Sequence, residues 1–200
     1  MTLLTIANGL ALNVGLEKTD TVIASPAREW AEVVEYSNLV GEELARRVDF
    51  GALHGSQTLT GDGTSKAFDL GTYFSRIGSG IAVTHNGAIV RPLTRAEWQS
   101  LTPVEGLPRY FLLEGDTVTV WPYLAIGDAV EVQTYTKAWA SNGTDEWAAD
   151  TDTSLIDEDL MLKGLIVRWR RQKGMDYEDY EAEFEAVLSD IARFDDRSRI

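Results

Sequence analysis

Residues 154–194 read SLIDEDLMLKGLIVRWRRQKGMDYEDYEAEFEAVLSDIARF, and this stretch decides the fold. Its pattern predicts two consecutive helices, Leu155–Lys173 and Asp176–Phe194, broken at Gly174. In the first, Leu162, Leu165, Ile166 and Trp169 share one face, while Leu160 and Val167 lie on another. A helix apolar on two faces belongs at the centre of a bundle. Ser154 or Asp157 can cap its start, and Asp157, Glu158 and Asp159 complement the dipole there. Gly174 is the expected left-handed residue just past its end. The second helix repeats Tyr177, Tyr180, Phe184, Val187, Ile191 and Phe194 at spacings of three and four. That seam is narrow and set among acids, so it needs a partner surface within the chain or beyond it.

Upstream, the chain begins with helical periodicity. Leu3, Ala7, Leu10 and Val14 form a stripe that closes near Gly15. The apolar segment from Thr2 to Leu16 has no basic residue before Lys18, which favours an amphipathic helix over a secretory signal. A second helix is expected from Ser25 as N-cap, with Pro26 in the first turn, to about Arg47. Trp30, Val33, Ser37, Val40, Leu44 and Val48 mark its buried face. Arg46 and Arg47 sit where the helix dipole favours cations, and a contact role is the equal alternative.

From Gly55 the period changes from helical to extended. Gln57–Thr60 and Lys66–Leu70 are short strand candidates flanking the turn Gly61-Asp62-Gly63. Asn86-Gly87, between Ile81–His85 and Ala88–Arg91, suits the positive φ angles of a type I′ hairpin. Thr94 and Glu97 form a capping box for a short helix. Gly115-Asp116 suits a type II′ turn between Arg109–Glu114 and Thr117–Trp121. Ala129–Lys137 alternates as one more strand. A small antiparallel sheet of five or six strands is expected, followed by a polar loop from Ala138 to Thr153. The fold class is therefore α+β. A helical bundle from residues 1–53 and 154–200 carries an inserted small antiparallel β-sheet domain, residues 54–153.

Composition narrows the function classes. An apolar fraction of 44% and a charged fraction of 25% describe an ordinary globular chain that can bury a core. No run approaches the ~18 apolar residues of a membrane helix. There is no cysteine, which excludes disulfides and thiolate metal sites. The net charge of −14 opposes tight binding to a phosphate backbone. It serves solubility, or else a surface past which DNA slides without sticking.

Catalytic signals are poor. His54 and His85 stand in no nucleophile or metal spacing, and no phosphate loop or nucleophile elbow is present. Asp145, Glu146, Asp150 and Asp152 fail the calcium-loop pattern, because Leu155 and Met161 occupy the sixth and twelfth positions counted from Asp150. Tyr110, Phe111, Trp121, Tyr123, Tyr135 and Trp139 are core at strand positions or a platform for carbohydrate. No enzymatic activity, cofactor or metal is expected.

The basic cluster Arg168, Arg170, Arg171 and Lys173 is the sharpest oddity in an acidic chain. One reading is dipole compensation plus pairing with the acidic helix that follows. The other is a contact with a neighbouring subunit or protein. The candidate interface comprises Lys163, Arg168, Trp169, Arg170, Arg171, Lys173, Tyr177, Tyr180, Phe184 and Phe194.

Several blocks, in order, resemble one family. They are Ala27-Arg28-Glu29-Trp30 continuing through Gly41–Phe50, then Leu93–Gln99, then Gly115–Pro122, then Asp150–Thr153 continuing through Leu165–Tyr177. Together they are similar to tailed-phage head-to-tail adaptor (connector) proteins. Gly71–Gly80 and the extreme C-terminus match least. The resemblance implies a non-enzymatic structural protein of the virion neck, in a tailed phage or gene transfer agent, made in the host cytoplasm. It implies a homo-oligomeric ring, usually a dodecamer, below the phage portal protein. That ring would extend the DNA channel and join a downstream tail, stopper or nozzle protein. Genomic DNA would pass through the lumen without sequence-specific binding, and no membrane would be involved. The alternative is a carbohydrate-binding tail or capsid accessory protein.

Overall fold

The structure is a computed structural model. It describes residues 2–78, 82–102 and 106–197, with side chains described as far as residue 193. The chain is α+β and forms two compact units, residues 1–53 with 137–200 and residues 54–136.

The helical unit contains α1 (Leu3–Val14), α2 (Arg28–Arg47), α4 (Glu158–Gln172) and α5 (Glu178–Arg197). Helix α4 packs against α1, α2 and α5, the central place that its two apolar faces predict. Leu160, Met161, Leu165, Ile166, Val167 and Trp169 are all buried. Its N-cap is Asp157, whose carboxylate accepts a hydrogen bond from the Leu160 N–H at 3.0 Å. At its other end the Gly174 N–H donates to Arg171 O and the Met175 N–H to Arg170 O. Gly174 has φ 67°, so the end is a Schellman motif. The helix is fifteen residues long, shorter than expected because Leu155 and Ile156 lie ahead of the cap and Asp157 is the cap itself.

Helix α2 also begins later than expected. Its N-cap is Ala27, with no side-chain cap. The Ser25 hydroxyl instead accepts from the Ala27 N–H at 3.4 Å, a local turn that competes with capping. At Gly164, α4 comes close to both α2 and α5. A Cβ there would lie 2.7 Å from Val40 Cγ1 and 3.0 Å from Phe184 Cε2.

Residues 137–153 count with the helices. Trp139, Ala140 and Trp147 are buried, and the two indoles meet edge to face at 4.7 Å. The Asp150 carboxylate accepts from the Thr21 hydroxyl and from the Val22 and Ile23 N–H groups at 2.6, 3.1 and 2.9 Å.

The β unit holds two sheets among its described residues, where one was expected. The first comprises β1 (His54–Thr60), β3 (Phe74–Ile77), β4 (Val83–His85), β5 (Ala88–Ile89) and β9 (Ala129–Thr136), in the order β1-β9-β4-β5, with β3 also on β9. The second comprises β2 (Ala67–Asp69), β6 (Arg91–Pro92), β7 (Tyr110–Glu114) and β8 (Thr117–Trp121), in the order β2-β8-β7-β6. The strands β1 and β2 flank the Gly61-Asp62-Gly63 turn but enter different sheets. Val90 is the second switch: β5 before it and β6 after it also lie in different sheets. The β6–β7 pair is parallel and every other pair is antiparallel. Leu59, Val83, Val130 and Val132 meet Phe111, Val118 and Val120 in one core, so the inner faces of both sheets are satisfied together.

The local turn chemistry follows the sequence. Asn86 and Gly87 have φ of 49° and 78°, and Gly115 has φ 63°. Thr94 and Glu97 cap the short helix α3 (Arg95–Gln99) reciprocally. Of the expected hairpin strand, Ile81 lies outside the described residues.

Candidate assembly surface

The basic end of α4 turns directly into the acidic start of α5, and the two pair with each other and with α2. The Lys163 amine lies 3.3 Å from Asp159 Oδ2 and 2.8 Å from Glu183 Oε1. Glu183 in particular raises the Lys163 pKa above the ordinary lysine value. Arg170 donates from Nε to the Asp176 carbonyl at 2.5 Å, and its guanidinium stacks 4.3 Å above the Tyr180 ring. Arg171 pairs with Glu181 and lies 4.7 Å above the Tyr177 ring; the Glu181 carboxylate raises its pKa. Lys173 pairs with Glu32 of α2 and lies over the Trp169 ring, and this amine pulls the Glu32 pKa down.

Arg168 stands apart from these pairs. Its Nη2 is 3.9 Å from Glu43 Oε2, and its Nη1 is buried without a hydrogen-bond partner among the described residues. It lines a cleft of about 150 Å³ with Val40, Glu43, Arg171, Glu181 and Phe184.

Two members of the candidate set lie beneath this surface. Trp169 is buried, edge-on to Tyr36 at 6.1 Å. Phe184 is 6% exposed and packs at Gly164, so the seam of α5 is core at this point. Tyr177 and Tyr180 are half-buried at the rim. The Phe194 side chain lies outside the described residues. Leu188, which sequence spacing passed over in favour of Val187, is the second buried anchor of α5.

The α2–α5 connection also escaped the sequence reading. Arg47 reaches both Glu43 and Glu185. The signal in the sequence was a cation in the last turn of α2, which fitted dipole compensation and a contact role equally and named no partner. The cluster is thus committed within the chain, while Arg171 keeps 51% and Lys173 37% of its side chain exposed.

The other sequence candidates go to local structure. His85 is buried, its Nε2 2.7 Å from Asp128 Oδ1. His54 packs edge-on to Tyr135. The Asp152 Oδ2 accepts from the Ala148 and Ala149 N–H groups and from the Asn142 amide, so this acid orders its own loop. Phe111, Tyr135 and Trp139 are buried, and Tyr110, Trp121 and Tyr123 reach solvent in part.

The charge is uneven. The β unit has five cations and eight acids, a net −3, which leaves −11 of the total −14 on the helical unit. No helix of the described residues is long and apolar enough to cross a membrane.

The family model described as SU10 adaptor protein matches residues 1–200. None of the curated proteins matches the chain. The chain belongs to the SU10 adaptor family, a family of structural phage adaptors.

Proposed function

We propose that, as a member of this adaptor family, the protein assembles into a ring below the portal, extends the DNA channel and joins the tail. The match over residues 1–200 carries the reading. The geometry supports it. Helix α4 gives the helical unit a packed centre, and α5 is fastened to it by Phe184, Leu188 and a set of ion pairs. The exposed parts of Arg170, Arg171, Lys173, Tyr177 and Tyr180 remain available for a neighbour or the portal. A helical unit of net charge −11 repels the phosphate backbone, so DNA passes without being held. The β unit supplies contacts to neighbouring subunits or to tail proteins.

The test is cryo-electron microscopy and native mass spectrometry of the full chain with its cognate portal ring. A ring of this protein on the tail-facing side of the portal is expected, with twelve copies as the leading stoichiometry. A chain that stays monomeric and never docks on the portal overturns the reading.

A further inference from the structure

A row of side chains crosses the four-stranded sheet. Arg91 is in register with Tyr110, and Tyr110 with Trp121. The Lys66 amine lies 5.4 Å from the Trp121 ring centre and 5.9 Å from that of Tyr123. Beside the row is an open groove of about 190 Å³, lined by Leu101, Leu107, Arg109, Tyr110, Trp121 and Pro122 among others. Leu107 is 66% exposed. Neither Arg91 nor Arg109 has an ion-pair partner among the described residues. A mainly apolar groove edged by Arg109, with Lys66 over its Trp121 and Arg91 in register with its Tyr110, is complementary to an apolar side chain set among acids.

The helical unit presents such a side chain. Residues 138–162 contain seven acids and no cation. Leu155 is 42% exposed there, with Asp152, Asp157, Glu158 and Asp159 within four residues. Among the other well-exposed apolar residues of that unit, Leu12, Ile23 and Leu39 have at most three acids at that spacing, and Met175 has Arg171 and Lys173 beside it. The knob is also held firmly. The Leu155 N–H donates to the Trp139 carbonyl at 2.8 Å, and Ile156 next to it is buried.

We infer that the groove receives Leu155 and its acidic rim from a second copy of the chain. Groove and knob are different surfaces, so the contact is heterologous and repeats head to tail, the arrangement that closes a ring. Burial of the leucine gives affinity, and the opposed charges give register and salt sensitivity. The inference rests on the ring reading above. Aromatic rings interleaved with cations also suit single-stranded nucleic acid, but a net charge of −14 opposes that ligand.

The absence of cysteine makes the test clean. Full-length Leu107→Cys and Leu155→Cys chains are mixed, assembled on the cognate portal ring and oxidised mildly. A disulfide-linked dimer is expected in the mixture, several-fold above either variant alone. Adding Arg109→Glu to the Leu107→Cys chain should reduce it several-fold, as should raised salt. Rings that assemble while the mixture crosslinks no better than its components overturn the groove contact and leave the ring reading standing. Failure to form any ring overturns both. Binding of fluorescent oligothymidine that is lost in Arg109→Glu assigns the groove to nucleic acid and also overturns the inference.

Discussion

Arg47 and Glu185 form a bidentate ion pair: Arg47 Nη1 donates to Glu185 Oε1 at 2.7 Å and Nη2 to Oε2 at 2.6 Å. The pair joins the C-terminal end of α2 to the middle of α5, two helices that each also pack on α4 or pair with it. Its planar fork is the arrangement in which an arginine–carboxylate pair has most geometric specificity.

The pair sets an acid limit on the helical unit. The hydrogen bonds from Arg47 hold the Glu185 carboxyl below the ordinary glutamate value. A carboxyl depressed in the folded state stabilises it at every pH above the unfolded pKa of ~4.3 and loses that contribution as pH falls through the folded value. The side chains are 36% and 46% exposed, so solvent screening limits the pair to about 0.5–1 kcal/mol. Glu185→Gln should therefore melt slightly below the wild type at pH 6–8. The gap should close at pH values below ~4. Thermal melts across pH check this, and a gap that widens in acid contradicts it.

Phe184 should matter much more than any of these ion pairs. It is 6% exposed and its ring edge lies 3.0 Å from where a Cβ on Gly164 would be. Phe184→Ala should cost about 3–5 kcal/mol, the usual range for a buried phenylalanine. Urea unfolding of the isolated protein measures it. A near-neutral result paired with lost portal docking would mean that the ring faces a partner, against its burial here. Gly164→Ala addresses the same contact from the other side, by overpacking, at about 1–3 kcal/mol.

The legible parts of this fold were those in which neighbours in sequence determine the outcome. The stripe Leu3, Ala7, Leu10, the reciprocal caps Thr94 and Glu97, and the Asn86-Gly87 and Gly115-Asp116 turns each need only a few consecutive residues. The basic cluster and the acidic helix after it were also visible, but their charges fitted two readings, and only coordinates choose the pairs. What escaped depends on distant partners. Strands β1 and β2 are consecutive yet enter different sheets, because each finds its ladder in β9 or β8 far along the chain. Residues 138–153 looked like a polar loop, although Trp139 and Trp147 drive them into the helical unit. Arg47 fitted a dipole cation or a contact equally, and nothing local names Glu185 as its partner.

Asp150 tests the status of that loop. Its carboxylate gathers the Thr21 hydroxyl and the N–H groups of Val22 and Ile23. Burial disfavours its charge, but these donors outweigh the penalty, and its pKa lies below the ordinary aspartate value. Asp150→Ala leaves two backbone donors without their acceptor, which should cost about 1–3 kcal/mol. Asp150→Asn keeps one acceptor oxygen and should cost less. Hydrogen exchange should show faster exchange at Val22 and Ile23 in the alanine variant. Unchanged protection there would show that the loop does not order the α1–α2 connection.

Trp139 and Gly41 give the sharpest test, because their contact has a definite sign. A Cβ on Gly41 would fall within the indole, 2.5 Å from Cδ2, and Trp139 is fully buried. The rigid ring has little room to swing aside, so Gly41→Ala should cost about 1–3 kcal/mol by overpacking. Trp139→Phe loses ring volume. It loses no hydrogen bond, since the indole Nε1 has no acceptor among the described residues. The smaller ring also makes room for the alanine methyl. The double variant Gly41→Ala/Trp139→Phe should therefore be more stable than the sum of the single losses, by at least about 0.5 kcal/mol, the threshold for residues in contact. Denaturant unfolding of the four proteins gives the coupling directly. Strict additivity would mean that Trp139 does not pack on Gly41, and that residues 137–153 are held to the helices by Asp150 and its neighbours alone.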